Sequence, residues 1–166
     1  MRDIPKLLLF IVQLALLTGC FNRHWSEKKR NQFKKECDAT ETFSSLVVLF
    51  KGFDNNEFSS ITVNEFKDSV LIGSFKIDVD PATTAYDIEN KNRMATITRT
   101  MNINHKYYFI IPGQAPYKLA DMKMVMWAQF SMLSEGWGCV MGDYTLNGER
   151  FEHSANPVLR KIQNRH

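Results

Sequence analysis

The chain has 166 residues, of which 44% are hydrophobic and 12% aromatic. This content is enough to build a packed core, and it excludes a disordered polar tail. The formal net charge is +3, but residues 21–36 carry six basic and two acidic side chains, whereas residues 37–166 carry 13 basic and 15 acidic ones. A globular part with a slight acidic excess argues against nucleic-acid binding, so no nucleic-acid partner is expected.

The first twenty residues have the three-part layout of an export signal. A basic start, Met1–Lys6, is followed by an apolar run of eleven residues, Leu7–Leu17, and by the small residues before Cys20. This run is too short for a transmembrane helix, which takes about 20 residues. The tetrapeptide Leu17-Thr18-Gly19-Cys20 resembles the lipobox of bacterial lipoproteins, position by position.

The resemblance implies that residues 1–19 form a cleaved signal peptide and that Cys20 becomes the acylated first residue of the mature protein. Several acyl chains, palmitate among them, anchor a protein stably, whereas a single chain holds it only marginally. Phe21 stands where inner-membrane relatives in enteric bacteria often carry Asp, which points to the outer membrane and to a domain facing the periplasm or the cell surface. An ordinary cleaved secretion signal is the alternative.

Residues 20–43 are expected to form a membrane-proximal segment with one short helix. Ser26 can cap a helix from Glu27 to about Glu36, with Phe33 and Cys37 four residues apart on one face. Basic side chains beside an anchor favour anionic lipid headgroups by about 1 kcal/mol each. An equally simple interpretation is that these basic side chains form the solvent-exposed face of a tether.

Once Cys20 is lipidated, Cys37 and Cys139 remain as an even pair in an oxidising compartment. A disulfide between them is therefore the default expectation, and two free thiols are the alternative. The bond would tie the membrane-proximal helix to the far end of the domain.

From residue 46 onward the hydrophobic pattern has the period of two that is typical of strands. Leu46–Phe50 is continuously apolar, which predicts a strand that is buried on both faces or lies at the centre of a sheet. Asn147-Gly148 predicts a tight hairpin turn that places Tyr144 opposite Phe151. Between them the pattern predicts strands at 61–66, 70–79, 95–103, 107–111 and within 119–130.

Seven or eight short strands after one polar helix indicate a mainly β fold, an antiparallel β-sandwich similar to the immunoglobulin-like or transthyretin-like sandwiches. We expect the β-sandwich domain to cover residues 44–156. Residues 157–166 form a basic tail that is expected to be loose or briefly helical.

Motifs for catalysis or cofactor binding are missing from the sequence. The string nearest to a nucleophile elbow, Leu71–Phe75, lacks the second glycine, and nucleotide-binding glycine loops are absent. The four histidines, at 24, 105, 153 and 166, show no zinc-ligand spacing. We therefore expect neither an enzyme nor a bound cofactor.

Two patterns could nevertheless bind metal ions. Asp78 and Asp80, followed by Asp87 and Glu89, could bind a hard cation, although a solvated acidic edge is the favoured interpretation. Methionine thioethers aligned on a strand can bind Cu(I), and three such residues alternate with other side chains here. They are Met122, Met124 and Met126. We favour a core position for them, because Asp121 and Lys123 alternate with them as the solvent face of a half-buried strand does.

Trp137 lies between two glycines in a predicted loop, Ser134–Cys139. It is a possible partner contact, although packing on the disulfide is the more frequent arrangement for such a tryptophan.

These features together predict a membrane-anchored envelope lipoprotein that binds a protein or an envelope component without catalysis. A periplasmic copper-binding protein that uses the methionine face with His105 or His153 is the alternative.

Overall fold

The structure is a computed structural model that describes residues 25–131, 134–154 and 156–162. The expected signal peptide and Cys20 lie outside the described residues. The helix α1 spans Glu27–Asp38, and the Ser26 hydroxyl caps it by accepting the Lys29 N–H at 3.3 Å. No helix in these ranges combines the length and the apolarity needed to cross a membrane.

Eleven strands and a second short helix follow α1 in the described residues. The helix α2, Ala85–Glu89, lies between β4 and β5. The strands are β1 (Thr42–Phe43), β2 (Leu46–Lys51), β3 (Ser60–Lys67), β4 (Val70–Asp78), β5 (Asn92–Ile97), β6 (Met101–Asn102), β7 (Lys106–Ile110), β8 (Tyr117–Ser131), β9 (Ser134–Leu146), β10 (Glu149–Phe151) and β11 (Val158–Arg160).

Two open sheets enclose one hydrophobic core. The larger sheet is antiparallel, in the order β10-β9-β8-β7-β3-β4, and the smaller one has the order β11-β2-β5. Buried side chains of both sheets belong to the same cluster, including Phe50, Tyr107 and Phe109, which have no exposed surface. The mainly β, sandwich-like fold preceded by one short helix is confirmed.

Strand β2 is the central strand of the small sheet, which confirms one of the two arrangements expected for it, and it is buried mainly on one face. Leu46, Val48 and Phe50 are buried, whereas the side chains between them are only partly so. The outer face of the small sheet is instead lined by partly exposed apolar side chains, because no layer among the described residues covers it.

The strand expected at 95–103 is two strands in different sheets. Strand β5 pairs with β2, and β6 pairs with β1, with residues 98–100 between them outside any strand. The apolar period of two continues across this break because Ile97 and Met101 both point into the core. Periodicity alone therefore could not show the change of sheet.

Residues 158–160 form a strand, whereas a loose or briefly helical tail was expected for 157–166; residues 163–166 of that tail lie outside the described residues. Strand β11 runs parallel to β2, with Val158 beside Leu49, and Leu159 has no exposed surface. The buried Leu159 side chain and the pairing with β2 thus fix this segment to the core. The segment 134–139, expected as a loop, is likewise the start of β9.

The hairpin expected at Asn147-Gly148 is confirmed. Both residues have positive φ, 53° and 87°, as a type I′ turn requires. Tyr144 lies opposite Phe151, and their rings stack with centroids 5.3 Å apart.

Strands β8 and β9 extend beyond the rest of the large sheet as a two-stranded arm, which we define as residues 123–131 and 134–143. The pairing of β7 with β8 covers only Tyr117–Leu119, so the arm is paired within itself alone. Helix α1 packs on β8, and the Cys37–Cys139 disulfide joins α1 to the arm. The expected disulfide is present.

Candidate functional site

A cleft opens between the free edges of the two sheets. Strand β4 ends the order of the large sheet and β5 ends the order of the small one. Within the described residues the backbones of the two edges are bridged at one point, where the Asp80 N–H donates to the Met94 carbonyl at 2.8 Å, and beside it the Arg93 side chain donates to the carbonyls of Val79 and Asp80. Past this bridge the edges separate and leave a cleft of about 420 Å³. The lining residues are Phe75, Lys76, Ile77, Asp78, Asp80, Thr96, Ile97, Thr98 and Arg99.

Main-chain groups of both strands point into this cleft. Successive residues of an antiparallel strand direct their N–H and C=O groups to opposite sides. The Val79 N–H donates to Ser59 on the β3 side, at 2.9 Å, whereas Asp80 donates toward β5. The alternation therefore directs the backbone of Lys76 and Asp78 toward the cleft. On β5, the Met94 carbonyl accepts the bond from Asp80 and therefore faces β4. The backbone of Thr96, two residues further on, has the same direction and points into the cleft from the β5 side.

A cluster of polar side chains lies at the rim of the cleft. The Glu65 carboxylate, with 12% of its side chain exposed, accepts a hydrogen bond from the Tyr107 hydroxyl at 2.9 Å. It also lies 2.8 Å from the Nδ1 atom of His105 and 3.9 Å from the Arg99 guanidinium. The guanidinium in turn lies over the Phe75 ring, 4.1 Å from its centroid. Arg99 is thus held between a carboxylate and an aromatic face at the mouth of the cleft.

Burial shapes the chemistry of Tyr107. Its side chain has no exposed surface, and burial raises its pKa well above the usual value near 10. The hydroxyl also accepts the Asn102 N–H at 2.8 Å, so it is fully engaged as donor and acceptor. This arrangement orients the carboxylate and locks the loop before β7, which is a structural role.

A run of exposed apolar side chains continues the free edge of β4 beyond the cleft. Val70, Leu71 and Ile72 are 65%, 53% and 49% exposed. Leu71 pairs with Phe66, whose ring makes an edge contact with Tyr108 at 5.1 Å. Exposed apolar patches of this kind mark interaction surfaces. The β4 edge thus offers both unpaired backbone and apolar side chains.

The chain was compared with protein-family models, with curated proteins and with solved structures, and no match was found.

The methionine residues occupy the core, as favoured from the sequence. Met122 and Met124 are 3% and 6% exposed, and Met126 is partly buried against the same cluster. Met124 pairs with Met141 of β9, and both line a second cleft beside Cys139. The apolar stripe extends the sandwich core into the base of the arm.

The histidines proposed to assist copper binding have other contacts. His105 pairs with Glu65, and the exposed His153 donates its backbone N–H to the Asp143 carboxylate at 3.0 Å. Among the described residues no group of three or more His, Cys, Asp or Glu side chains could hold a metal ion. Asp87, one of the acidic residues considered for a cation, instead receives the Thr84 hydroxyl at 2.6 Å at the start of α2.

Trp137 lies on β9 opposite Ala128, two residues from the disulfide-bonded Cys139. The Arg30 guanidinium of α1 lies 6.0 Å from its ring centroid. The residue therefore belongs to the contact between α1 and the arm and is partly exposed beside it.

The cleft residues were not singled out in the sequence, with the exception of the Asp78–Asp80 pair. One signal was present: Glu65 continues the alternation of Ile61 and Val63, so a carboxylate falls at an inward position of β3. A charged residue at an inward position requires partners. Their identity, Tyr107 and Arg99, depends on strand register and could not be derived from the local pattern.

Proposed function

We propose that this protein is a membrane-anchored envelope lipoprotein whose domain is a non-enzymatic binding module for an extended polypeptide segment. The lipobox resemblance of residues 17–20 supports the anchor. The observation that carries the binding function is the cleft in which the free edges of β4 and β5 face each other.

An extended segment could add to these edges as a further strand. Its backbone would pair with the groups of Lys76, Asp78 and Thr96 that point into the cleft, since strand addition obtains affinity from main-chain hydrogen bonds. Each such bond contributes about 0.5–1.5 kcal/mol net. The bridge between Asp80 and Met94 closes one end of the cleft and would set the register of the added strand.

Side chains at the open end would supply specificity. Arg99 offers a cation beside the aromatic face of Phe75, and the exposed apolar run of Val70–Ile72 continues along the same edge. A segment with a carboxylate near Arg99 and apolar residues toward Val70 is the best complement. This combination favours a protein partner in the envelope over a small ligand.

Photo-crosslinking in intact cells tests this function. A photoreactive amino acid in place of Thr96 should give a discrete adduct, whereas one in place of Glu149, exposed on the opposite edge of the large sheet, should not. Lys76→Pro removes an N–H that points into the cleft while leaving the ladder with β3 intact, so it should abolish the adduct. Lys76→Ala is the matched control and should keep it.

An adduct from position 96 that persists in both Lys76→Pro and Thr98→Pro would contradict strand addition. Two proline variants on facing edges are used because one of them could perturb folding. Circular dichroism and melting temperature of each variant establish that the fold is retained.

A further inference from the structure

All three tryptophans of the chain lie at one end of the molecule. Trp25 precedes α1, and Trp127 and Trp137 lie on the arm, where they pair with Gly138 and Ala128 on adjacent rungs. Trp127 is 43% exposed, and the other two are partly exposed. Tryptophans are enriched at the membrane–water interface, where the ring is half-buried and the N–H remains hydrated.

The direction of α1 places its first turn at the same end. Cys37, near the end of α1, is bonded to Cys139, and Arg30, seven residues earlier, lies beside Trp137. Moving toward the start of α1 therefore means moving toward the outer end of the arm, where β9 begins. Trp25 continues this direction and contacts Phe33, with ring centroids 5.4 Å apart.

Basic side chains accompany the tryptophans. Lys28, Lys29 and Arg30 occupy the first turn of α1, and the Lys29 ammonium lies 4.0 Å above the Trp25 ring. Lys34, further along, is neutralised by Asp38 at 2.6 Å. The first turn thus carries three cations and one carboxylate, that of Glu27, and Lys35 is a further cation in the last turn; the net positive charge of the first turn is complementary to anionic lipid headgroups.

The chain that precedes Trp25 fixes the distance to the proposed anchor. Trp25 is five positions after Cys20, and a fully extended chain spans at most about 3.6 Å per position, hence roughly 18 Å. This inference rests on the proposed lipidation of Cys20. With that anchor in the bilayer, the first turn of α1 cannot leave the neighbourhood of the membrane surface.

We propose that the first turn of α1 and the outer rungs of the arm seat in the headgroup region of an anionic phospholipid membrane. Trp25, Trp137 and Lys28–Arg30 lie on the α1 side of the arm and Trp127 on its opposite face, so that the arm enters the headgroup region with both faces and forms a second membrane contact beside the lipid anchor. It holds the domain in one orientation, since anchor and surface together fix both position and tilt.

Tryptophan fluorescence of the full mature lipoprotein in vesicles tests this contact. The vesicles contain phosphatidylcholine with roughly 30 mol% phosphatidylglycerol, brominated close to the headgroup, and a matched set lacks bromine. Because every tryptophan is at this end, seating predicts quenching of about twofold or more in the brominated vesicles. Lys28→Glu combined with Lys29→Glu should reduce the quenching, whereas Tyr86→Ser, at a 68% exposed aromatic residue on α2, should not.

The outcomes separate this contact from the anchor. Vesicle flotation and labelling with a palmitate analogue, each with Cys20→Ser as control, report the anchor. Protein that floats without being quenched overturns the second contact and leaves the anchor standing. Protein that neither takes up label nor floats overturns the lipidation and the contact that rests on it. Equal quenching in vesicles of phosphatidylcholine alone overturns the role of anionic lipid.

Discussion

Removal of the Cys37–Cys139 bond should destabilise the protein and release α1 first. The bond closes a sequence separation of 102 residues, for which the chain-entropy model gives about 4.7 kcal/mol and native disulfides typically give about 2–5 kcal/mol. Cys37 is the only residue of α1 that is buried, and a twelve-residue helix is marginal in water on its own. We therefore expect α1 to unfold locally before the sheets do.

The assay compares oxidised protein, reduced protein and a Cys37→Ala/Cys139→Ala variant, all in a Cys20→Ser background that removes the third thiol. At about 3 °C per kcal/mol, the melting temperature should fall by roughly 6–15 °C on reduction. The alanine variant should melt near the reduced protein and be insensitive to reductant. Hydrogen exchange should show lost protection in α1. A fall of less than about 3 °C with α1 still protected would refute the argument.

Two further predictions concern the core. Because the Met124 thioether is buried, Met124→Gln should lower the free energy of unfolding by more than about 1 kcal/mol, and Met124→Leu should change it less. Tight Cu(I) binding by the reduced protein that is lost in the leucine variant would contradict this core position. Since burial raises the pKa of Tyr107, the stability that its neutral form confers is present below about pH 10 and falls as the pH rises further. The free energy of unfolding, measured with urea from pH 9 to 11, should therefore fall less with pH in Tyr107→Phe than in the wild type. Equal slopes in the two proteins would count against this role of Tyr107.

Local patterns predicted the hairpin and the orientation of the methionine strand, and the count of cysteines predicted one contact between distant residues, the disulfide. The turn at Asn147-Gly148 set the register of Tyr144 with Phe151 because two residues join the strands. The disulfide was expected because an even pair of cysteines remains once Cys20 is assigned to the lipid anchor. The alternation of Met122 and Met124 with charged residues predicted their inward orientation, which the structure confirms.

Features that depend on distant partners could not be derived in this way. The alternation around Asp121 does not reveal that this residue has φ of 51° and that the β8–β9 register shifts beside it. The buried Arg93 donates to the carbonyls of Asp54, Val79 and Asp80, which are brought together only by the fold. The cleft is likewise defined by two edges that belong to different sheets.

The parallel pairing of β11 with β2 has a consequence for the order in which the domain can form. Strand β2 meets its neighbour β5 early, but its other edge waits for residues that leave the ribosome roughly 110 positions later. Until then Leu159 is missing from the core and the β2 edge is open to foreign strands. The small sheet is therefore completed only after residues 158–160 have left the ribosome, so the order of synthesis places the closing of this sheet after that of the β2–β5 pair.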